Sequence, residues 1–95
     1  MRLTNKQRNY IVHAVRTNRL WTRIPSRVEY RTLHNGTKAA SNMVYADLSA
    51  WLDANVEADD ASPIISLFQH GAVEDDPNKI ELAFQGLVNL GMPIV

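Results

Sequence analysis

Three histidines, His13, His34 and His70, are the chain's imidazoles, and imidazole is both the commonest metal ligand and the side chain that changes charge near neutral pH. They fall on three different predicted helices, with no His-x-x-x-His pair and no carboxylate at a ligand-like offset. They read as surface or helix-end histidines, His70 being favourably placed near a helix C-terminus. Asp53 and Glu57 are four residues apart and are expected to share one helix face, the minimum geometry for an acid/base pair. On the solvent side of an amphipathic helix that geometry reads as a charged surface. Glu74-Asp75-Asp76 precedes a predicted helix start, where the macrodipole stabilises negative charge by a few tenths of a kcal/mol, roughly. No Gly-rich phosphate loop, Gly-x-Ser-x-Gly elbow or Walker lysine occurs, and Ser26 and Ser62 read as helix caps. Zero cysteines exclude disulfides, thiolate zinc sites and cysteine nucleophiles. The expectation is a chain that is not an enzyme and takes no metal or cofactor.

What remains is charge. Up to Tyr45 there are nine Lys/Arg residues against Glu29 alone, a net +8, whereas from Ala46 onward nine carboxylates face only Lys79, a net −8. The whole chain is therefore neutral but a dipole in sequence. If its halves lie on different faces, the basic patch of one molecule is steered onto the acidic patch of another, and head-to-tail contacts follow. The candidate partner-binding residues are Arg16, Arg19, Arg23 and Arg27 on the basic side and Asp53, Glu57, Asp59 and Asp60 on the acidic side. Trp21, between Arg19 and Arg23, is expected to be half exposed and to join the contact. Two other readings stay open. The halves pair within one molecule as surface ion pairs, each contributing roughly 0–1 kcal/mol, or Arg16, Arg19, Arg23, Arg27 and Arg31 meet nucleic-acid phosphates with Trp21 as a stacking aromatic.

These residues need a frame to hold them. Thr4 with Gln7 three residues later is a capping box and predicts a helix over about 5–17, with Tyr10, Ile11, Ala14 and Val15 inward. Residues 18–25 have no clean period and read as a connector or short broken turn before Pro25. Ser26 and Glu29 form a second capping box, opening a short helix over about 27–34. Val44, Leu48, Trp51, Leu52 and Val56 make the strongest apolar stripe and predict a central helix over about 38–57, with Trp51 in the core. Ser62-Pro63 predicts a helix start that runs to Gly71, and Asp76-Pro77 another over about 77–90, stopped by Gly91 and Pro93. No stretch alternates with period two, so the fold expected is all-α: one domain over 1–95, a compact antiparallel bundle of five to six short helices. The terminal Met92-Pro93-Ile94-Val95 either packs on the bundle or continues into something longer.

The run Val44-Tyr45-Ala46-Asp47-Leu48-Ser49-Ala50-Trp51-Leu52, the Ser62-Pro63 helix and the turn Asp75-Asp76-Pro77-Asn78 resemble the bacterial effector-associated, death-like domains. The opening Leu3-Thr4-Asn5-Lys6-Gln7-Arg8 is similar to their first helix. The resemblance implies a six-helix bundle of the death-fold type, akin to caspase recruitment domains. It also implies an adaptor in bacterial antiphage defence and immune signalling that associates through opposed basic and acidic surfaces. The function expected is thus a non-enzymatic protein-protein interaction module, homotypic or heterotypic, with homo-oligomerisation as one form. The alternative is a small phage or host helical regulator that binds nucleic acid, or a nucleic-acid enzyme, through its basic N-terminal half. The apolar runs fall far short of the roughly twenty residues that span a bilayer, and the N-terminus does not read as a signal peptide. A cytoplasmic location without membrane contact is the expectation.

Overall fold

The computed structural model describes residues 1–25 and 38–95, with side-chain surroundings given for 1–25 and 44–95. Among the described residues there are four α-helices and one 3₁₀ turn. The predicted helix at 27–34, with Arg27, Arg31 and His34, lies outside them.

Helix α1 (Asn5–Thr17) begins where the capping box places it: the Gln7 N–H donates to Thr4 Oγ1 and the Thr4 N–H to Gln7 Oε1, both at 3.1 Å. Two otherwise orphaned donors are satisfied locally, so the start is fixed by sequence alone. Asn18 closes the helix, its side-chain amide donating to the Ala14 carbonyl at 2.8 Å. Arg19 then adopts a left-handed backbone, φ 56°, which turns the chain into the 3₁₀ helix Leu20–Arg23. That aperiodic connector is a core element, because Leu20 and Ile24 are both buried.

Helix α2 (Lys38–Asn55) places Val44, Leu48 and Leu52 at intervals of four along one stripe, and all three are fully buried. Trp51 is only half-buried at the flank of that stripe, packed against the core rather than within it. Tyr45, at the opposite flank, is the more buried aromatic. The helix ends at Asn55, short of the expected 57, and Glu57 instead occupies the N-cap position of the next helix. Asp53 and Glu57 therefore do not share a helix face.

Helix α3 (Ala58–Val73) starts four residues before Ser62 of the Ser62-Pro63 signal and runs beyond Gly71. Ser62 is not the cap; its hydroxyl donates back to the Ala58 carbonyl at 3.2 Å from within the helix. The true start is held by a long-range bond, the Ala58 N–H donating to the Met1 carbonyl at 2.9 Å. Asp59 and Asp60 in the first turn suit the positive end of the helix dipole. Pro63 is exposed, so the carbonyl it leaves without an intrahelical donor can reach water. Gly71 is not a terminator either. A Cβ there would lie 2.7 Å from Ile80 Cδ1, so the glycine lets the following helix approach.

Helix α4 (Pro77–Asn89) keeps its predicted punctuation: Asp76 accepts from the Asn78 N–H at 2.9 Å, Pro77 takes the first position, and Gly91 at φ 103° ends the run. Met92 folds back into the core, its N–H donating to the Leu87 carbonyl.

Close approaches fix the directions. Ala58 sits by Met1 and Gln7, Asp53 by Arg8, and Tyr45 under Arg16. Gly71 and Ala72 share a cleft with Thr17 and Asn18. Helix α1 thus runs parallel to α3 and antiparallel to α2, while α4 returns antiparallel to α3 as the most extensively packed pair. Phe68, Phe84, Ile11, Leu48, Leu52 and Leu87 form the shared core. Among the described residues no helix is long and apolar enough to cross a membrane.

Candidate interaction surface

The parallel course of α1 and α3 decides where the charges go. It carries the acidic start of α3 to the basic start of α1, and the acidic α3–α4 connection to the basic end of α1. Each end of the bundle therefore holds both signs, and part of the sequence dipole is neutralised within the molecule.

At the α1 N-terminal end, Arg8 Nη1 meets Asp53 Oδ2 at 3.0 Å. At the other end Arg23 grips Glu81 with both guanidinium branches, at 2.6 and 3.0 Å, and lies 4.3 Å above the centroid of the buried Phe84 ring. The Arg23 fork holds the Glu81 carboxyl down at about 2 from its ordinary 4.5, helped by a second hydrogen bond from Gln85, and Arg23 is raised in turn. The Arg23 carbonyl also accepts from the Val95 N–H at 2.9 Å. Arg23 is tied on three sides to its own chain, and Asp53 on one.

The other predicted site residues are disposed differently. Arg16 is exposed and stacks 4.7 Å above the Tyr45 ring, and Arg19 is exposed on the left-handed turn. Trp21 is half-buried against the core. Glu57, Asp59 and Asp60 are exposed where α3 begins, and neither Asp59 nor Asp60 meets a cation among the described residues. Arg27 lies outside the described residues. From Arg8 beside Asp53 to Arg16 is eight residues of helix, or roughly 12 Å at 1.5 Å per residue. The structure thus leaves Arg16 and Arg19 at one end of α1 and Asp59 and Asp60 at the other.

Sequence reasoning missed the surface beside Asp59 and Asp60. Pro63, Ile64 and Leu67 of α3, Gly86 of α4 and Leu90 just after it line an open groove of about 290 Å³ that these two carboxylates border. Its floor exists because Gly86 has no side chain: a Cβ there would lie 2.9 Å from Ile64 Cγ1. A glycine interrupting the apolar stripe of the last helix was the available signal. A larger cleft of about 690 Å³ at the basic end is lined by Thr17, Asn18, Asp75, Asp76 and Glu81 among others. Two of its carboxylates already have duties, Asp76 capping α4 and Glu81 holding Arg23.

His13 is exposed with Nε2 3.4 Å from Thr17 Oγ1, and His70 is exposed in the last turn of α3. Among the described residues no group of three His, Asp or Glu side chains is placed to hold a metal. No protein-family model, curated protein or solved structure matches this chain.

Proposed function

We propose that this chain is a non-enzymatic protein-interaction module that associates head to tail with copies of itself through the two ends of α1. The observation that carries the reading is the incomplete internal neutralisation. Arg8 and Arg23 are matched to Asp53 and Glu81, while Asp59 and Asp60 at one end and Arg16 and Arg19 at the other are exposed and make no ion pair among the described residues. Both ends also carry the other sign, Arg2 and Lys6 at the first and Asp75 at the second, so the attraction is local: the carboxylate pair of one copy meets the guanidinium pair of the next, and such heterologous contacts leave an open end for a further copy. The adaptor role implied by the death-like resemblance fits this reading.

Sedimentation equilibrium over a range of protein and salt concentrations tests it. Reversible association that weakens with salt, and is lost in Arg16→Glu/Arg19→Glu, is the expected result. A wild type that stays monomeric throughout overturns the homotypic form. Oligonucleotide binding with a steep salt dependence would replace it with the nucleic-acid reading.

A further inference from the structure

The groove between α3 and α4 asks for more than charge. Leu67 and Leu90 are half-buried along its walls, Ile64 forms the floor beside Gly86, and Asp59 and Asp60 stand at one margin. At about 290 Å³ it accepts one or two apolar side chains rather than a drug-sized molecule. Its occupant must present such side chains a short way from cations.

The chain carries that combination beside its 3₁₀ turn. Met92 is folded into the core, but Ile94 and Val95 beyond it are exposed, and the Val95 N–H donates to the Arg23 carbonyl at 2.9 Å, which holds the segment against the turn. Arg19, where the turn begins, is exposed and makes no ion pair among the described residues. From Arg19 to Arg23 is four residues, roughly 8 Å at 2.0 Å per residue. From Asp60 to Leu67 is seven residues of α3, roughly 10 Å at 1.5 Å per residue. Cation and apolar pair are thus spaced as carboxylate and groove are. A chain cannot fill its own groove this way: Glu81, which holds Arg23, and Gly86, beneath the groove, are five residues apart and point about 140° away from each other around α4. Met1 beside Arg2 is also exposed, but its carbonyl accepts from Ala58 at the acidic end. Seating Met1 in a second groove would bring the Asp59 and Asp60 pairs of both copies together and leave Arg16 and Arg19 unmatched.

We infer that the groove is the apolar half of the head-to-tail contact: Ile94 and Val95 of one copy seat between Leu67 and Leu90 of the next, while Arg16 and Arg19 meet Asp59 and Asp60 at the margin. The inference rests on the head-to-tail reading and supplies the anchor that charge alone lacks, since exposed ion pairs fade with salt and buried apolar side chains do not. Tail and groove lie on different faces, so the contact is heterologous and each copy keeps one of each for its neighbours.

Two variants, each defective on one side, test it by sedimentation. Ile94→Ser/Val95→Ser changes exposed positions and keeps the groove; Leu67→Ser spoils the groove and keeps the tail, its fold checked by circular dichroism. Each alone is expected to associate about tenfold or more weakly than wild type. Their equimolar mixture is expected to stop at a one-to-one dimer, because one intact tail meets one intact groove and nothing remains to propagate. With the tail variant nitrogen-15-labelled, amide shifts on adding the groove variant should centre on Asp60, Ile64, Leu67, Gly86 and Leu90; unlabelled wild type takes its place should Leu67→Ser lose its fold. Shifts centred on the Leu48, Trp51 and Met92 pocket overturn the inference, as does a mixture that stays monomeric beside an associating wild type. Association that the tail variant retains overturns the groove contact and leaves the charge reading standing, an N-terminal occupant being then marked by loss in Arg2→Glu/Lys6→Glu. Association lost in the tail variant but kept in Arg16→Glu/Arg19→Glu overturns the charge reading and leaves the groove. A wild type that is monomeric throughout overturns both.

Discussion

Arg23 was a candidate contact residue by charge, and its geometry makes it a clamp between the 3₁₀ turn and α4, which a double-mutant cycle with Glu81 can measure. The pair is bidentate at 2.6 and 3.0 Å, but its side chains remain 41% and 46% exposed, so solvent screens it. A coupling of about 0.5–1 kcal/mol is expected. Arg23→Ala also removes the contact over Phe84, another 0.5–1 kcal/mol or so, and should destabilise by about 1–2 kcal/mol in all. Glu81→Gln should cost only about the coupling, and Arg23→Lys should lose the fork and the stacking together. Urea unfolding followed by circular dichroism on the four proteins of the cycle gives the coupling directly. The pH dependence adds a signed check. Because Glu81 is held at about 2 against an ordinary 4.5, its contribution is complete above about 4.5 and is lost as pH falls from there toward 2. Wild type and Glu81→Gln should therefore converge in acid. Zero coupling at neutral pH, with no convergence, would refute the clamp and return Arg23 to the set of arginines available to a partner.

Leu52 is fully buried and Trp51 half-buried, so Leu52→Ala should cost about 2–5 kcal/mol while Trp51→Ala costs about 1–2 kcal/mol; the reverse order in denaturant melts would put Trp51 in the core. Pro63 interrupts the interior of α3 with an exposed ring, so Pro63→Ala should restore a helical N–H and stabilise by about 1–2 kcal/mol after allowing for the looser unfolded chain. A loss of stability there would show that the ring packs on something essential. Thr4→Ala removes the cap of α1 and should cost about 1 kcal/mol in the same melts.

The boundaries of α1 and α4 were legible because their caps are local: Thr4 with Gln7, and Asp76 with Pro77, satisfy the helix ends within a few residues. Helix α3 misled the reading because Ser62-Pro63 imitates a cap, whereas the true start at Ala58 is held by the Met1 carbonyl, far away in sequence. Residues 18–25 looked aperiodic because the 3₁₀ turn is a single short turn that buries Leu20, and the next buried side chain, Ile24, already lies in extended backbone beyond it. The candidate site was half legible. Asp59, Asp60, Arg16 and Arg19 are exposed as expected, but the antiparallel packing of α1 on α2 matched Arg8 to Asp53 and the seating of the 3₁₀ turn against α4 drew Glu81 onto Arg23, pairings that a charge count along the chain does not contain. Leu67 and Leu90 come together only across the α3–α4 hairpin, so the one linear trace of the groove they line was Gly86 in the apolar stripe of the last helix.

The head-to-tail association itself is tested most directly by mixing two charge-reversed proteins. Arg16→Glu/Arg19→Glu alone sets glutamates against Asp59 and Asp60, and Asp59→Lys/Asp60→Lys alone sets lysines against Arg16 and Arg19, so each by itself should sediment as a monomer. In an equimolar mixture every end again finds an opposite charge, and association comparable to wild type should return at low salt and fade as salt is raised. Mixed samples that sediment as monomers beside an associating wild type, or single variants that associate as well as wild type does, would contradict charge-directed association through the ends of α1.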